Sequence, residues 1–343
     1  MSTLESWESW ESWESWESWE SWESWRGSPA AGGPSSWLAR QRSRDAIVYG
    51  PAPAGAQRAL RADHPLGSLS AYARRQVVVM DMLAGISVGE LTAARTVAVR
   101  GPKGSTDAVV PAPQDFNAQL ALVESLNRQR LERAPEIHAQ MAFNPGFWAG
   151  IVPLSGRSTP FTLELMAAAV MWSSFIVQQA KTRYNLPRPV ALSPRIHPMI
   201  ATPGFSTYPS GHATQAALVS TLLRALAVPG LADAWRQPVE TQLSDLARRI
   251  AENREVAGVH FPTDSQAGLA LGERLLGLLL KGCPMPVLVP APAPPAPRKA
   301  ARASAAAASA AAEAAAEAAA AATPRQAGAF KWLWDQAAAE WQA

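Results

Sequence analysis

Six stretches of apolar residues at helical spacing fill the middle of the chain and leave little room for a sheet. They cover residues 68–97 (with a break near 85–89), 116–141, 160–184, 213–228, 239–256 and 263–281. Strand-like pieces are short, such as TVAVRG at 96–101. This succession of helices predicts an all-α fold, a helical bundle, for the central part of the chain.

Low-complexity sequence flanks the helical stretches. Residues 1–26 carry a Glu-Ser-Trp repeat, whose three-residue step places the Trp side chains on no single face of a helix or strand. We therefore expect a disordered N-terminal tail and linker over residues 1–66, with an aromatic, acidic tag for a partner as the alternative. The helical domain then spans 67–283.

Residues 284–343 form a separate C-terminal segment. A Pro-rich linker leads into an Ala-rich helix that has no apolar stripe with which to pack. A tail with Trp332, Trp334 and Trp341 follows on a short amphipathic piece. We expect this tail to be weakly ordered; docking on a partner or back on the helical domain is the alternative.

Charge and cysteine content narrow the functional classes. The net charge is +3, and it becomes +9 when the Glu-rich first 26 residues are set aside. A basic domain suits an anionic ligand, although surplus Lys and Arg also keep proteins soluble. We expect no nucleic-acid partner. Cys283 is the only cysteine, which excludes an intramolecular disulfide and a cysteine zinc cluster.

Apolar runs long enough for a membrane span are interrupted. A span needs roughly 20 apolar residues, but Glu164 breaks the segment 161–180, and Glu273 and Arg274 break 269–280. The N-terminus also lacks the basic and apolar regions of a secretory signal. We expect a soluble, cytoplasmic protein with no transmembrane segment. Export to the periplasm and a homo-oligomeric state stay open.

The motif YPSGHAT at 208–214 opens an apolar helix with Ser210, Gly211 and His212. Unpaired N–H groups and the helix dipole attract an anion to such a helix start. Gly211 would let the backbone approach an oxyanion closely, and His212 can pass a proton. An ordinary Ser cap beside a surface histidine is the alternative.

Two further motifs lie at the ends of helical stretches. KTRYNLPRP at 181–189 places Lys181 and Arg188 where both cations could reach one anion, or where they simply cap a helix. NREVAGVHFPTD at 253–264 holds Arg254, His260 and Asp264. An aspartate in the first helical turn can accept a hydrogen bond from His260, which makes the other ring nitrogen the nucleophile or ligand. A loop histidine beside an ordinary acidic first turn is the alternative.

Together the three motifs resemble the signature of the type 2 phosphatidic acid phosphatase and vanadium-dependent haloperoxidase superfamily in residue type, order and internal spacing. The resemblance covers about residues 161–281, and Asn253 stands where many members have Ser. It implies a helical bundle of the acid phosphatase and vanadium haloperoxidase type.

The resemblance also implies a role for each motif residue. His260 would be the nucleophile, held by Asp264, and His212 would protonate the leaving group and then activate water. Five groups would bind the oxygens of phosphate or vanadate: Lys181, Arg188, Ser210, the Gly211 amide and Arg254.

Three functions are compatible with this set of residues. We expect first a soluble phosphohydrolase that acts on a small phosphate ester without a cofactor. The alternative is a haloperoxidase in which His260 binds vanadate and hydrogen peroxide oxidises halide; Phe205 resembles an aromatic residue of some chloroperoxidases. The second alternative is a non-catalytic anion-binding scaffold.

Overall fold

The structure, a computed structural model, describes residues 64–101, 108–110, 115–280 and 328–342. The Glu-Ser-Trp repeat, the Ala-rich stretch and Cys283 lie outside these ranges. The α-helices of the described residues are α1 Ala71–Leu83, α2 Phe116–Ser125, α3 Arg130–Ala139, α4 Gly146–Ala149, α5 Pro160–Tyr184, α6 Pro189–Leu192, α7 Gly211–Leu226, α8 Asp233–Val256, α9 Pro262–Leu280 and α10 Ala329–Ala339. Short 3-10 helices cover Pro65–Ser68, Leu126–Gln129 and Val228–Gly230. The predicted all-α fold class is confirmed.

Helix α5 is the centre of the bundle. Its sequence is apolar on most sides, and a helix of that kind is stable only when other elements surround it. It packs against α1, α7 and α10, and it buries Leu165, Met166 and Trp172 completely. The indole nitrogen of Trp172 donates a hydrogen bond to the carbonyl oxygen of Met82 on α1, at 3.0 Å, so the largest core side chain has its polar atom paired.

Helices α7 and α9 pack unusually closely because α9 carries glycine at the contact. A Cβ on Gly268 would lie 2.5 Å from the carbonyl oxygen of Ser210, and one on Gly272 would lie 2.3 Å from that of Thr214. No larger residue fits at either position. The close approach brings the N-terminal ends of α7 and α9 together, where the amide of Ser210 donates to the carbonyl oxygen of Asp264 at 3.0 Å.

A small antiparallel sheet follows α1, and its strand β2 forms within the strand-like piece TVAVRG at 96–101. Strands β1 Ser87–Val88, β2 Val97–Arg100 and β3 Ala108–Val110 pair in the order β1-β2-β3. The helix expected to resume after residue 89 is therefore wrong. Val97 and Val99 alternate with outward residues and are completely buried, so the two-residue period is what prevails here.

The C-terminal helix α10 docks on the domain, so the expectation of a weakly ordered tail is wrong for residues 328–342. At one end, Asp81 of α1 accepts a hydrogen bond from the amide of Phe330 at 2.9 Å. At the other end, the Glu340 carboxylate accepts from the amides of Phe161 and Thr162 at 2.7 and 2.8 Å. Each carboxylate thus pairs with free N–H groups at a helix start.

An aromatic and ionic cluster secures the same contact. Trp332 of α10 stacks on His64 and meets Phe161 edge-on, so the domain begins slightly before residue 67. Arg74 of α1 lies over both Phe161 and Trp332 and forms a bidentate ion pair with Glu164 of α5, at 2.8 and 2.7 Å. Glu164 is therefore a paired core residue within an otherwise apolar helix.

One helical segment, Pro160–Leu192, is long and apolar enough to cross a membrane by length and composition, so the expectation of no such segment is not confirmed. In this fold, 72% of its most apolar window is buried inside the protein. The core helix of a globular domain meets the same criteria.

Candidate active site

The start of α9 holds His260 and Asp264 in a defined geometry. One carboxylate oxygen, Oδ2 of Asp264, accepts from the amide of Phe261 at 3.0 Å, and Nδ1 of His260 lies 2.9 Å away. The hydroxyl of Thr207 donates to the same oxygen. An ionised carboxylate only accepts, so Nδ1 carries the hydrogen and Nε2 of His260 keeps its lone pair. The expected hydrogen bond between the two residues is present.

Lys181 and Arg188 reach the same region from the C-terminal end of α5 and the start of α6. The ammonium of Lys181 donates to the carbonyl oxygens of Ser206 and Thr207 at 2.6 and 2.9 Å, which leaves one of its three N–H donors. Arg188 donates to the carbonyls of Phe205 and Val259 at 3.1 and 2.8 Å. Backbone carbonyls therefore hold both buried cations in place without neutralising them.

Arg254, on the last turn of α8, is a buried cation with few hydrogen-bond partners. Its side chain is completely buried, and Nη2 donates to the carbonyl oxygen of Ile137 at 2.9 Å and to Oε1 of Gln140 at 3.4 Å. Its Nε and Nη1 have no hydrogen-bond partner among the described residues. Desolvated guanidinium donors are costly unless an acceptor meets them, so two donors of this side chain are available to an acceptor that the protein itself does not supply.

The helix start at Ser210 and Gly211 combines a cap with free donors. The Ser210 hydroxyl accepts from the amide of Ala213 at 3.4 Å, as an ordinary N-cap does, and its own hydrogen can still be donated. A Cβ on Gly211 would meet only Val177, at 3.9 Å. The protein itself therefore does not require glycine there, and only a ligand close to the backbone would.

His212, in the first turn of α7, faces the segment that follows α3. Its Nε2 lies 3.1 Å from the carbonyl oxygen of Gln140 and 3.4 Å from that of Met141. Because carbonyls only accept, Nε2 carries the hydrogen of the neutral ring and Nδ1 is the basic nitrogen. Burial, followed by the charges of Arg254 and His260, lowers the pKa of His212, although the residue as a whole is only half-buried.

Burial and like charge dominate the electrostatics. Burial and the nearby Arg188 lower the pKa of Lys181 well below its ordinary value, and burial lowers the pKa values of Arg188 and Arg254 to about 10. Burial and the three cations push the pKa of His260 far down, so its ring is neutral. Burial raises the pKa of Asp264 to about 6. A cluster of cations with so little counter-charge favours a bound anion.

Sequence reasoning missed Thr207 and Gln140. Thr207 is completely buried and touches both Asp264 and His260, the latter at 3.3 Å between Oγ1 and Nδ1. Its position directly before the motif YPSGHAT was the available signal. Gln140, directly after α3, contacts Arg254 with its side chain and His212 with its carbonyl oxygen. No local sequence pattern marks it.

Asn253 occupies the position where the motif departs from many relatives. Its Nδ2 donates to Oε1 of Gln140 at 2.9 Å, and its Oδ1 accepts from Nη1 of Arg133 at 3.1 Å. The completely buried amide is paired on both sides. The substitution therefore keeps a hydrogen-bonded neighbour next to Arg254.

Two hollows border the site. An open one of about 430 Å³ is lined by Arg188, Ser206 and the half-exposed Phe205. The Phe205 ring lies 5.2 Å from both the Lys181 ammonium and the Arg188 guanidinium. A second, of about 30 Å³, lies beside His212. No group of three or more His, Cys, Asp or Glu residues in the described ranges could hold a metal ion.

Comparison with known proteins bears on the part of the chain that carries the motifs. A family model described as the PAP2 superfamily matches residues 162–285. No curated protein matches the chain. A solved structure, the first transmembrane PAP2 type phosphatidylglycerolphosphate phosphatase from Bacillus subtilis, is 21% identical and covers 49% of this chain and 75% of its own, with a TM-score of 0.29. The family model therefore matches the segment that carries all three motifs, and this segment is similar to the PAP2 superfamily.

Proposed function

We propose that the chain is a phosphohydrolase that cleaves a small phosphate monoester through a phosphohistidine on His260. The match of residues 162–285 to the PAP2 superfamily model supports a phosphatase-type hydrolase in general terms. The observation that carries the proposal is Arg254, a completely buried guanidinium with two nitrogen atoms that no described residue satisfies. The charges of Lys181, Arg188 and Arg254 all lie close enough to His260 to lower its pKa.

In the first step, the lone pair of Nε2 on His260 attacks phosphorus. The ester P–O bond breaks, and the leaving alkoxide takes a proton from His212. The Asp264 carboxylate accepts the Nδ1–H of His260 throughout, which orients the ring and stabilises the positive charge that develops on it. Lys181, Arg188 and Arg254 stabilise the negative charge on the transferring group.

In the second step, His212 removes a proton from water, and the resulting hydroxide oxygen attacks phosphorus. The N–P bond breaks, its electron pair returns to Nε2, and phosphate leaves. The lowered pKa of His212 keeps its ring unprotonated, so Nδ1 is free to accept the proton from water. A bound phosphate dianion next to the ring favours the protonated form again, which suits the acid role of the first step.

We further propose that the protein is soluble and cytoplasmic and needs no cofactor as a phosphatase. The burial of most of the apolar window of α5, together with the ion pair between Arg74 and Glu164 inside it, supports solubility. Fractionation of expressing cells tests this point. Recovery in the membrane fraction would contradict it.

A vanadium haloperoxidase is the second candidate, favoured by the Phe205 ring over two of the cations. Vanadate is a tetrahedral oxyanion like phosphate, so the free donors of Arg254 fit either group. Lys181, Arg188 and Arg254 would hold vanadate, with His260 as its ligand. Bound there, it would supply the activation of hydrogen peroxide for halide oxidation.

Two assays on one preparation separate the candidates. We expect hydrolysis of p-nitrophenyl phosphate, inhibition by added vanadate, and loss of activity in His260→Ala. The matched control is His138→Ala, an exposed histidine on α3 outside the site, which should retain full activity. Bromination of a reporter by vanadate-loaded protein with peroxide and bromide would instead establish the haloperoxidase. Anion binding with neither activity would leave only a scaffold.

A further inference from the structure

The side chain of Gln140 connects two helices of the site through three hydrogen bonds. Gln140 follows α3 and is 3% exposed. Its Oε1 accepts from Nδ2 of Asn253 at 2.9 Å and from Nη2 of Arg254 at 3.4 Å. Its Nε2 donates to Oε1 of Glu136 at 3.1 Å, and Glu136 forms an ion pair with Arg249 of α8 at 2.8 Å. The amide of Gln140 is thus held in one orientation from both ends.

The main chain of the same residue contacts a second functional group. The carbonyl oxygen of Gln140 accepts from Nε2 of His212 at 3.1 Å, which leaves Nδ1 as the nitrogen that exchanges protons. Arg254 lies on α8 and His212 on α7. Gln140, which belongs to neither helix, therefore touches the anion-binding guanidinium with its side chain and the proposed acid and base with its backbone.

We propose that Gln140 is a positioning residue that fixes the guanidinium of Arg254 and the imidazole of His212 relative to each other. This inference rests on the proposed function and adds a residue to it. The hydrogen bond to Nη2 holds Arg254 so that its remaining donors point at the anion. The carbonyl holds His212 in the tautomer whose Nδ1 takes and gives the proton, so both groups depend on where residue 140 sits.

A purely structural role for Gln140 predicts different behaviour. Other contacts already join α3 to the end of α8, including the bond from Nε of Arg130 to the carbonyl oxygen of Val256 at 3.0 Å. If Gln140 only tied these helices together, its loss would lower stability as the loss of Arg130 does. Anion affinity and turnover of the folded protein would then be unchanged.

The test compares Gln140→Met, which keeps the length and removes the hydrogen bonds, with Arg130→Met as the matched control. Both are measured in the full chain for unfolding midpoint, for vanadate affinity by calorimetry, and for kcat and KM on p-nitrophenyl phosphate. We expect Gln140→Met to weaken vanadate binding roughly tenfold, the effect of one lost hydrogen bond to a charged group, and to lower kcat. Arg130→Met should change only the unfolding midpoint. If Gln140→Met does not fold, Gln140→Ser, which admits water, takes its place.

A double-mutant cycle tests the His212 half of the inference. Gln140→Met should lower kcat clearly in the wild-type background and by less in a His212→Ala background, because the part of the effect that comes from a shift of the residue 140 carbonyl passes through that ring. Unchanged affinity and kcat in the folded Gln140 variant, or additive effects in the cycle, would overturn the inference. If the wild type binds vanadate more tightly than the Gln140 variant but hydrolyses no ester, the phosphohydrolase proposal is refuted. The positioning of Arg254 by Gln140 would then still stand. No vanadate binding by wild type would refute both.

Discussion

Oδ2 of Asp264 lies 2.9 Å from Nδ1 of His260, with the carboxylate in the first turn of α9 and the histidine just before that helix. The same oxygen accepts from the Phe261 amide and from the Thr207 hydroxyl. Its own hydrogen bonds thus hold the carboxylate in place, and the carboxylate in turn orients the His260 ring. Its free atom, Oδ1, has no partner among the described residues.

Asp264→Asn should lower kcat by at least about 100-fold with little change in KM. An amide can present its NH₂ group to Nδ1, which would then bear no hydrogen, and the wrong tautomer leaves Nε2 protonated and unable to attack phosphorus. Steady-state kinetics on p-nitrophenyl phosphate check this. A variant with near wild-type kcat would show that Asp264 does not set the tautomer.

The fall in activity at low pH should follow the protonation of Asp264. Burial raises its pKa to about 6, so the carboxylate is ionised above that pH and becomes protonated as the pH falls through it. A protonated Asp264 no longer carries the negative charge that stabilises the positive charge developing on His260, and kcat/KM should fall toward lower pH with a midpoint near 6. Asp264→Asn should lack this fall, while ionisation of the substrate affects both proteins equally. An identical fall in the variant would contradict the assignment.

Arg254→Met should abolish oxyanion binding without lowering the stability of the free protein. The guanidinium is completely buried with two unpaired nitrogen atoms, so replacing it with an apolar side chain of similar length removes a desolvation cost of about 1–3 kcal/mol. Thermal unfolding without ligand and vanadate calorimetry measure the two effects. Arg248→Met, an exposed residue on the same helix paired with Asp245, is the control. A large loss of stability in Arg254→Met would mean that the side chain serves the fold rather than a ligand.

Glu340→Ala should destabilise the domain by about 1–2 kcal/mol, because the free N–H groups at the start of α5 lose their acceptor. Asp335→Ala, which removes only an exposed pair with Lys331, should cost less than about 0.5 kcal/mol. Denaturant unfolding of both variants makes the comparison. Equal effects would show that the α10 contact contributes little to stability.

Much of the fold was predictable because helical period and stop signals are local. The sequence stretch at 160–184 matches α5 from Pro160 to Tyr184, since Pro suits the first helical turn and Asn185 ends the helix in a left-handed conformation. The helix expected over residues 90–97 is wrong because apolar residues there also fit a two-residue period, whereas the strand-like piece at 96–101 is confirmed as β2. The pairing between β2 and β3, which is a tertiary contact, decides between a helix and a strand.

The candidate site was partly predictable for a related reason. His260 and Asp264 lie four residues apart, so their contact follows from local geometry. Gln140 and Thr207 could not be found that way, because they meet the motif residues only through tertiary packing. The docking of α10 was missed for the same reason: its partners Asp81 and Thr162 lie more than 150 residues away in the chain.

The most direct test of the account is to quench the protein during turnover of a phosphate ester and locate any covalent phosphate by mass spectrometry under conditions that preserve phosphohistidine. The account predicts a phosphoryl group on His260, its absence in His260→Ala, and its accumulation in His212→Ala, where the activation of water is lost. Turnover with no phosphoryl group on His260, or with one on another residue, would contradict it.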